Sequence, residues 1–483
     1  MAQLTGAKAA VPAFKEGEGV GIRQVMLTSN KSKSKTVDVV NSTMALLYYE
    51  SILQDSVRAT VTYSDTGNTI DEKTAMEGLP IVGQEHVKLK FTDNNSNEID
   101  LEMYVNKVTP LLEDTRKSVI QLELSGKEFI LNEKVRINKR FNGKIHEHVK
   151  AILTSLEDED GGEPVTFFGT EKNVDDIDET ANVFNYIGNN KKPYYILNWL
   201  SRGAVPSPGD NPKGKKNSAG FLFFETSKGF HFKSIDGLMN EEKNPIKKSY
   251  IYNESPDESD SAPEGYDGKA LEYGINNNVN IQKKLKLGAY STRIITFNPY
   301  NCEYEVINPN AGTTEKGAAN TPGDQENLKL GGKELPSLNK EFDMEEPGKE
   351  FSRTTYMLLD PGTLPAGPGQ GVKQQGGSGQ VAKSKDENYQ PALVLNQGIM
   401  RLNQLFALQA SITIPGDFSL HAGDAIYLDA PQLQSDVESD EVDKQTGGNY
   451  IIADVCHYLS SKFTLTKLNL VRDSFGRKPK GRG

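Results

Sequence analysis

Short runs in which apolar and polar residues alternate set the strongest limit on how this chain can fold. Residues 57–63 (VRATVTY), 86–91 (HVKLKF), 101–105 (LEMYV) and 119–124 (VIQLEL) all alternate in this way. Successive side chains of a strand point to opposite faces, so several such runs in about 100 residues predict an antiparallel barrel or sandwich. The region 20–128 is therefore predicted to be a β-barrel domain.

The same order of elements occurs again near the end of the chain. A strand, a turn with leucine and glycine, a second strand and a hairpin follow one another in both places, with Gly83 and Gly423 at matching points. A glycine suits a corner where the backbone takes a positive φ. Duplication and chance both explain such a likeness, and both stay open here. Three copies of a chain with two barrels would present six similar units around an axis, so a threefold object could meet a sixfold one.

The residues between the two β regions follow a different pattern. Apolar residues in 143–156 and 192–205 recur at helical spacing, with Pro193 at the start of the second run, and 220–232 (GFLFFETSKGFHF) reads as a hairpin. Residues 129–253 are therefore predicted to form an α+β module. The aromatic residues Tyr194, Tyr195, Trp199 and Phe223 are predicted to lie in its core.

Composition divides the rest of the chain. The overall prediction is a mainly β protein with two β-barrel domains, an α+β module, and inserted or peripheral segments. Strands are also expected at 279–287, 291–297, 302–307 and 354–359. The remaining predicted segments are a flexible arm at 1–19, a linker at 254–269, a second barrel domain at 270–475 with inserts at 308–350 and 360–386, and a basic tail at 476–483.

Charge and cysteine content exclude several classes of function. The formal net charge of -11 makes tight nucleic-acid binding a poor fit, because phosphate contacts need clustered Lys and Arg. Cys302 and Cys456 fit neither a disulfide framework nor a metal site. No apolar stretch reads as a signal peptide or a membrane span, so we expect a protein that is made in the cytosol and is soluble or joins an assembly there.

No motif points to catalysis, a cofactor or a metal. His146 and His148 lie two residues apart, not one helical turn apart, so they do not share a face. The acidic segments 157–163 and 435–444 lack the spacing of a calcium loop and are interpreted as solvated loops. The stretch 367–380 has no GK[ST] and is interpreted as a flexible linker. Catalytic, cofactor-binding and metal residues are accordingly predicted as none.

Several stretches, taken in order, resemble the central baseplate hub proteins of contractile-tailed phages (myoviruses), which are related to the N-terminal hub region of VgrG spike proteins. No single stretch is diagnostic, and the order of the set carries the resemblance. The stretches are YYESILQDSVRATVTYSDTG (48–67), LPIVGQEHVKLKF (79–91), KPYYILNWLSRGAV (192–205), GFLFFETSKGFHFKSIDGL (220–238) and IPGDFSLHAGDAIYLDAP (414–431).

The resemblance implies a virion structural protein of the tail baseplate, assembled in the host cytoplasm. It implies a homotrimer whose two tail-tube-like barrels per chain form a pseudo-sixfold ring. The ring would lie below the tail tube protein or a tube-initiator ring and above the central spike protein. Baseplate wedge proteins and the tape measure protein are the other implied partners, and DNA would only pass through. The inserts depart from the simplest members of the family, so their role stays open.

The basic tail has two interpretations. Arg477, Lys478, Lys480 and Arg482 form either a frayed, solvated end or a contact to an acidic partner such as the spike. For the whole chain, the alternative to a structural hub is a peptidoglycan hydrolase associated with the tail tip. A carbohydrate-binding β protein is a third hypothesis, and the missing signal peptide counts against it.

Overall fold

The structure is a computed structural model of the chain. The predicted arm, both inserts, most of the linker and most of the two acidic loops lie outside its described residues. It describes residues 21–478, apart from 32–34, 68, 71, 115, 157–163, 208–217, 253–264, 277–280, 288–292, 299–301, 308–352, 359–390, 431–442, 444 and 461.

The first β unit is built from the strands that alternation predicts. In its strand of residues 58–65, Val61 and Tyr63 are fully buried, while Arg58 is exposed on the opposite face. The unit comprises β1 (Gly21–Thr28), β2 (Thr36–Asp38), β3 (Thr43–Ser51), β4 (Arg58–Asp65), β5 (His86–Thr92), β6 (Glu98–Glu113) and β7 (Ser118–Ser125), with the short helix α1 (Ala75–Gly78) and a 3-10 turn at Val40–Ser42.

The middle module has its own apolar core, formed by its helices and the hairpin β12–β13. The expectation that its aromatic residues are core is wrong for Tyr195 and Trp199, which are 56% and 41% exposed because they lie on the outer side of α4. The elements are α2 (Lys127–Lys134), β8 (Arg140–Phe141), α3 (Ile145–Leu153), β9 (Ser155–Leu156), β10 (Val165–Thr166), β11 (Tyr186–Ile187), α4 (Pro193–Gly203), β12 (Phe221–Thr226), β13 (Gly229–Ser234) and α5 (Ile235–Leu238).

The second β unit follows, with a small three-stranded sheet inserted into it. The strand expected at 279–287 is wrong, because residues 281–287 form a helix. The unit contains β14 (Ile246–Ile251), β15 (Gly268–Lys269), β16 (Glu272–Ile275), β20 (Leu408–Pro415), β21 (Ala425–Asp429), β22 (Gly448–Ser460) and β23 (Thr464–Arg472), and the insertion contains α6 (Ile281–Leu287), β17 (Arg293–Asn298), β18 (Glu303–Ile307), β19 (Thr354–Leu358) and α7 (Pro391–Leu405).

Both β units belong to one 14-stranded sheet. Its main path runs β15-β14-β21-β22-β3-β4-β7-β6-β5-β1-β2, and a branch leads from β22 through β23 and β20 to β16. Among the described residues, no ladder closes either unit into a barrel. The protein is therefore mainly β with an α+β module, as predicted, but its two β units are joined in an open, branched sheet.

The two units share one strand order, β4-β7-β6-β5 in the first and β20-β23-β22-β21 in the second. Their ladders correspond residue by residue. The Gln84 amide donates to the Val105 carbonyl at 2.7 Å, as the Gly423 amide does to the Ile452 carbonyl at 2.8 Å. Both hairpins then have a register shift directly after this point. By this alignment Gln84, one residue after Gly83, occupies the position of Gly423.

Hydrophobic packing follows the same division of the chain. Each β unit has an apolar cluster of its own, with Phe418 and Leu459 of the second unit packed into the cluster of the first. A further cluster joins the second unit to β12, α5 and α7. In the part of the chain that the structure describes, no helix is long and apolar enough to cross a membrane.

Candidate functional site: the junction of the two β units

The two units meet along one antiparallel ladder, here called the internal seam. Residues Asp454 to Ser460 of β22 pair with Ser51 to Ala45 of β3. The earlier part of β22 pairs with β21 on this same edge, while its other edge pairs with β23. One long strand is thus shared by three neighbours, and backbone hydrogen bonds continue from one unit into the other.

A buried carboxylate lies where the internal seam meets the middle module. Glu50 of β3 accepts hydrogen bonds from Tyr48 Oη at 2.9 Å and the Ser227 amide at 2.8 Å. It also accepts from the Ala422 amide at 3.0 Å, and His421 Nδ1 lies 3.2 Å away. Burial opposes ionisation, but the charge and hydrogen bond of His421 and the amide donors lower the pKa of Glu50 to about 2. Glu50 therefore ties together both β units and the β12–β13 turn.

A second buried charge cluster joins the first unit to the middle module. Lys172 Nζ lies 2.7 Å from Glu128 of α2 and 2.5 Å from Glu225 of β12. The other oxygen of Glu225 accepts from the Val57 amide at 3.1 Å. Burial disfavours the ionised form of both carboxylates and so raises their pKa values. The Lys172 ammonium outweighs it at Glu128, whose pKa is lowered, but not at Glu225, whose pKa is raised.

The sheet face opposite the core carries polar and charged side chains and is concave across the internal seam. A trough of about 660 Å³ lies on this face, lined by residues of both units such as Arg58, Thr60, Cys456 and Lys467. On the first unit, cross-strand ion pairs balance the charges of this face. Those pairs are Lys88 with Asp100 at 3.7 Å, Lys90 with Glu98 at 2.7 Å, and Lys107 with Glu123 at 2.9 Å.

Two strand edges that correspond to the internal seam have no partner among the described strands. One is the outer edge of β16, which pairs only with β20, and the other is the edge of β6 beyond Val105. Both carry exposed apolar side chains, since Leu111 and Leu112 are 55% and 53% exposed and Ile275 is 48% exposed. Unpaired strand edges are ready templates for pairing with another chain.

The residues singled out in the sequence lie in different places. Gly83 and Gly423 both have positive φ, at 117° and 91°. Arg477 contacts the chain itself, with Nη2 2.7 Å from Asp429 Oδ1, and Lys478 Nζ lies 3.4 Å from Glu241. The other two basic residues of the tail lie beyond the described part of the chain.

The two histidines of the HEH stretch serve the fold of the middle module. His146 Nδ1 lies 3.1 Å from Thr180 Oγ1, and His148 Nε2 lies 2.9 Å from the Phe184 carbonyl. Burial lowers the pKa of His148 to about 4. Among the residues that the structure describes, no group of three or more His, Cys, Asp or Glu could hold a metal ion.

The buried acids of the junction are not among the residues that the sequence singles out. Glu50 occupies a core-facing position after Leu46 and Tyr48, and Glu225 is a lone acid in an apolar run. An acid on the buried face of an alternating strand is a signal, because such a group needs donors. Its partners come from distant segments, so they could not be named from sequence.

These features define a mainly β protein in which two units of equal strand order share one sheet. Solved structures that the chain is similar to are phage tail proteins and complexes containing VgrG. The 43 kDa tail protein of prophage MuSo2 from Shewanella oneidensis has 10% identity and a TM-score of 0.43, over 93% of this chain and 98% of that one. The tail protein from Neisseria meningitidis MC58 has 8% identity and a TM-score of 0.45, over 94% and 97%.

A Francisella PdpA–VgrG complex is similar at 9% identity and a TM-score of 0.40, over 95% of this chain and 54% of that one. No protein-family model matches the sequence, and no curated protein matches it. The sequence resembles phage tail and VgrG proteins, and proteins of both kinds are also among the solved structures to which the chain is similar.

Proposed function

We propose that the chain is the structural hub of a contractile phage tail baseplate. In this role it is a homotrimer that joins the sixfold tail tube, or its initiator ring, to the threefold central spike. The observation that carries the proposal is the internal seam together with its two open counterparts. A chain whose two like units pair through one edge, and which leaves the equivalent edges open at both ends, can repeat that pairing with copies of itself.

The strand pairings within the two β units indicate which residues a contact between β16 of one copy and β6 of the next would bring together. Ala59 pairs with Leu124 in the first unit as Ala410 pairs with Leu470 in the second. On this alignment Ile275 of β16 corresponds to Tyr48 of β3.

The internal seam shows what the residue at this position contacts. Tyr48 faces His457 across the internal seam, and His457 corresponds to Pro110 of β6. Ile275 of one copy would therefore lie beside Pro110–Leu112 of the next, which covers exposed apolar side chains on both edges.

The polar sheet face supports the role of a passage. In a closed ring of such units the concave face would line the channel through which the tape measure protein and DNA pass. On the first unit, Lys88, Lys90 and Lys107 of this face are paired with carboxylates on neighbouring strands. Pairing leaves few free cations to hold phosphate groups, so a polyanion can slide without binding tightly. Wedge proteins would contact the outer modules.

Mass measurement with matched variants tests the proposal. Light scattering of the wild type is expected to give three times the 53.2 kDa of the chain. Leu112→Lys and Ile275→Lys place a charge in the proposed contact and are expected to give monomers. Leu53→Lys is the control, because Leu53 is 54% exposed in the turn after β3, away from both edges. A wild type that is monomeric in light scattering, and that does not bind the spike protein when the two are mixed, would contradict the hub role.

In the part of the chain that the structure describes, no observation favours the hydrolase hypothesis. The buried acids Glu50, Glu128 and Glu225 are each engaged by donors that hold the modules together. Incubating the purified chain with peptidoglycan and measuring soluble fragments tests it directly. Release above that of a heat-denatured sample would favour the hydrolase.

A further inference from the structure

A small cleft lies between the middle module and the corner of the second β unit. Its volume is about 240 Å³, and we call it the lysine cleft. Drug-sized ligands need pockets of about 300–1,000 Å³, so this space suits a single functional group. Four lysines line it, Lys228, Lys233, Lys243 and Lys247, although the whole chain carries a net charge of -11.

Three carboxylates also line the cleft, and each is already engaged. Lys233 bridges Asp176 and Asp178. Lys247 Nζ lies 2.5 Å from Asp424 Oδ1. These pairs fix the ammonium groups of Lys233 and Lys247 in position and engage all three carboxylates of the cleft.

The carboxylate behind the cleft, Glu50, raises the pKa of Lys228 through its charge but makes no ion pair with the lysines of the cleft. Glu50 is fully buried and receives hydrogen bonds from Tyr48, Ser227 and Ala422, with His421 beside it. Lys228 is next to Ser227, at the tip of the β12–β13 hairpin. Among the described residues, no carboxylate lies within ion-pair distance of its ammonium.

Lys228 is also crowded by a like charge. Partial burial lowers its pKa and the neighbouring Lys247 ammonium lowers it further, and these effects outweigh the opposing charges of Asp424 and Glu50. Two ammonium groups that share a concave, partly desolvated space repel each other, and a bound anion would relieve that repulsion. Charge-assisted hydrogen bonds from ammonium to carboxylate or phosphate are among the stronger polar contacts in proteins.

We propose that the lysine cleft binds one oxyanion group, a carboxylate or a phosphate, against the ammonium groups of Lys228 and Lys247. The cleft opens beside the Gly423 corner, where the middle module meets the second unit. An acidic side chain of a neighbouring protein and free phosphate offer the same chemistry. The inference does not depend on the proposed function.

Calorimetric titration of the full chain tests the cleft. Inorganic phosphate and, separately, a short glutamate-rich peptide are added at constant ionic strength. We expect saturable binding of at least one of them, and about tenfold weaker binding to Lys228→Gln, since one charge-assisted bond is lost. Binding of phosphate alone identifies a free anion as the occupant, and binding of the peptide identifies an acidic side chain.

The control is Lys107→Gln, because Lys107 is exposed and pairs with Glu123 far from the cleft. It is expected to bind like the wild type. Lys228 lies at the hairpin tip and is only partly buried, so Lys228→Gln should unfold at the wild-type temperature in chloride, which shows that it is folded. Absence of saturable binding to the wild type, or equal binding to Lys228→Gln, would overturn the proposal.

Discussion

At the scale of single residues, the two corner glycines differ in their surroundings. Both have positive φ, which a residue with a Cβ adopts only with strain. A Cβ on Gly83 would meet nothing within 4 Å, whereas a Cβ on Gly423 would lie 3.1 Å from Phe224 Cζ. The packing against the middle module thus adds a second constraint at Gly423.

We expect Gly83→Ala to lower the free energy of unfolding by about 1 kcal/mol, through backbone strain alone. Gly423→Ala should cost about 2 kcal/mol, because Phe224 must also shift. Denaturant unfolding of both variants measures the difference. Equal losses would show that Phe224 moves freely and does not constrain the corner.

At the scale of elements, the Lys172 cluster connects α2, β12 and the start of β4. The ammonium is the shared partner of two buried carboxylates, so its removal leaves both without a counter-charge. Lys192 provides a matched pair, because its bridge to Glu133 of α2 is exposed on the surface, with side chains 39% and 63% accessible.

Lys172→Met should therefore lower the free energy of unfolding by about 3–5 kcal/mol, as expected for a broken buried ion pair. Lys192→Met should cost less than about 1 kcal/mol, as for a surface pair. Urea unfolding of the two variants at pH 7 makes the comparison. A Lys172→Met protein as stable as Lys192→Met would show that the buried carboxylates find other donors or take up protons at little cost.

Elements with strong local patterns were predictable from sequence, and long-range pairings were not. Alternation identified β4 and β5, and helical spacing with Pro193 identified α4. The pattern of residues 281–287 predicts a strand, although they form a helix, because seven residues give too little periodicity to distinguish the two. The internal seam joins residues about 400 positions apart, and no local pattern encodes such a partner.

At the scale of the whole molecule, Glu50 links stability to pH. Its folded pKa of about 2 lies below the ordinary 4.5, so the folded state holds fewer protons than the unfolded state over this range. Its contribution is complete above about pH 4.5 and is lost as the pH falls toward 2. Both β units and the middle module supply its donors, so this loss loosens all three together.

We expect Glu50→Gln to lower the free energy of unfolding at pH 7 by about 2 kcal/mol, since a charged acceptor of three hydrogen bonds is replaced by an amide. The difference from the wild type should shrink as the pH falls from 4.5 toward 2. Unfolding by urea across this range measures it, and the subtraction cancels the titration of other acids. A difference that stays constant with pH would mean that Glu50 is not ionised in the folded protein.

The strand shared by three neighbours has a mechanical consequence. Any load that pulls the two β units apart along β22 acts on a row of hydrogen bonds in parallel, which must break together and not one after another. Such a joint is stiff against sliding but can be peeled open from the end at Ser460. A force applied along the strand would therefore be transmitted from one β unit to the other with little deformation.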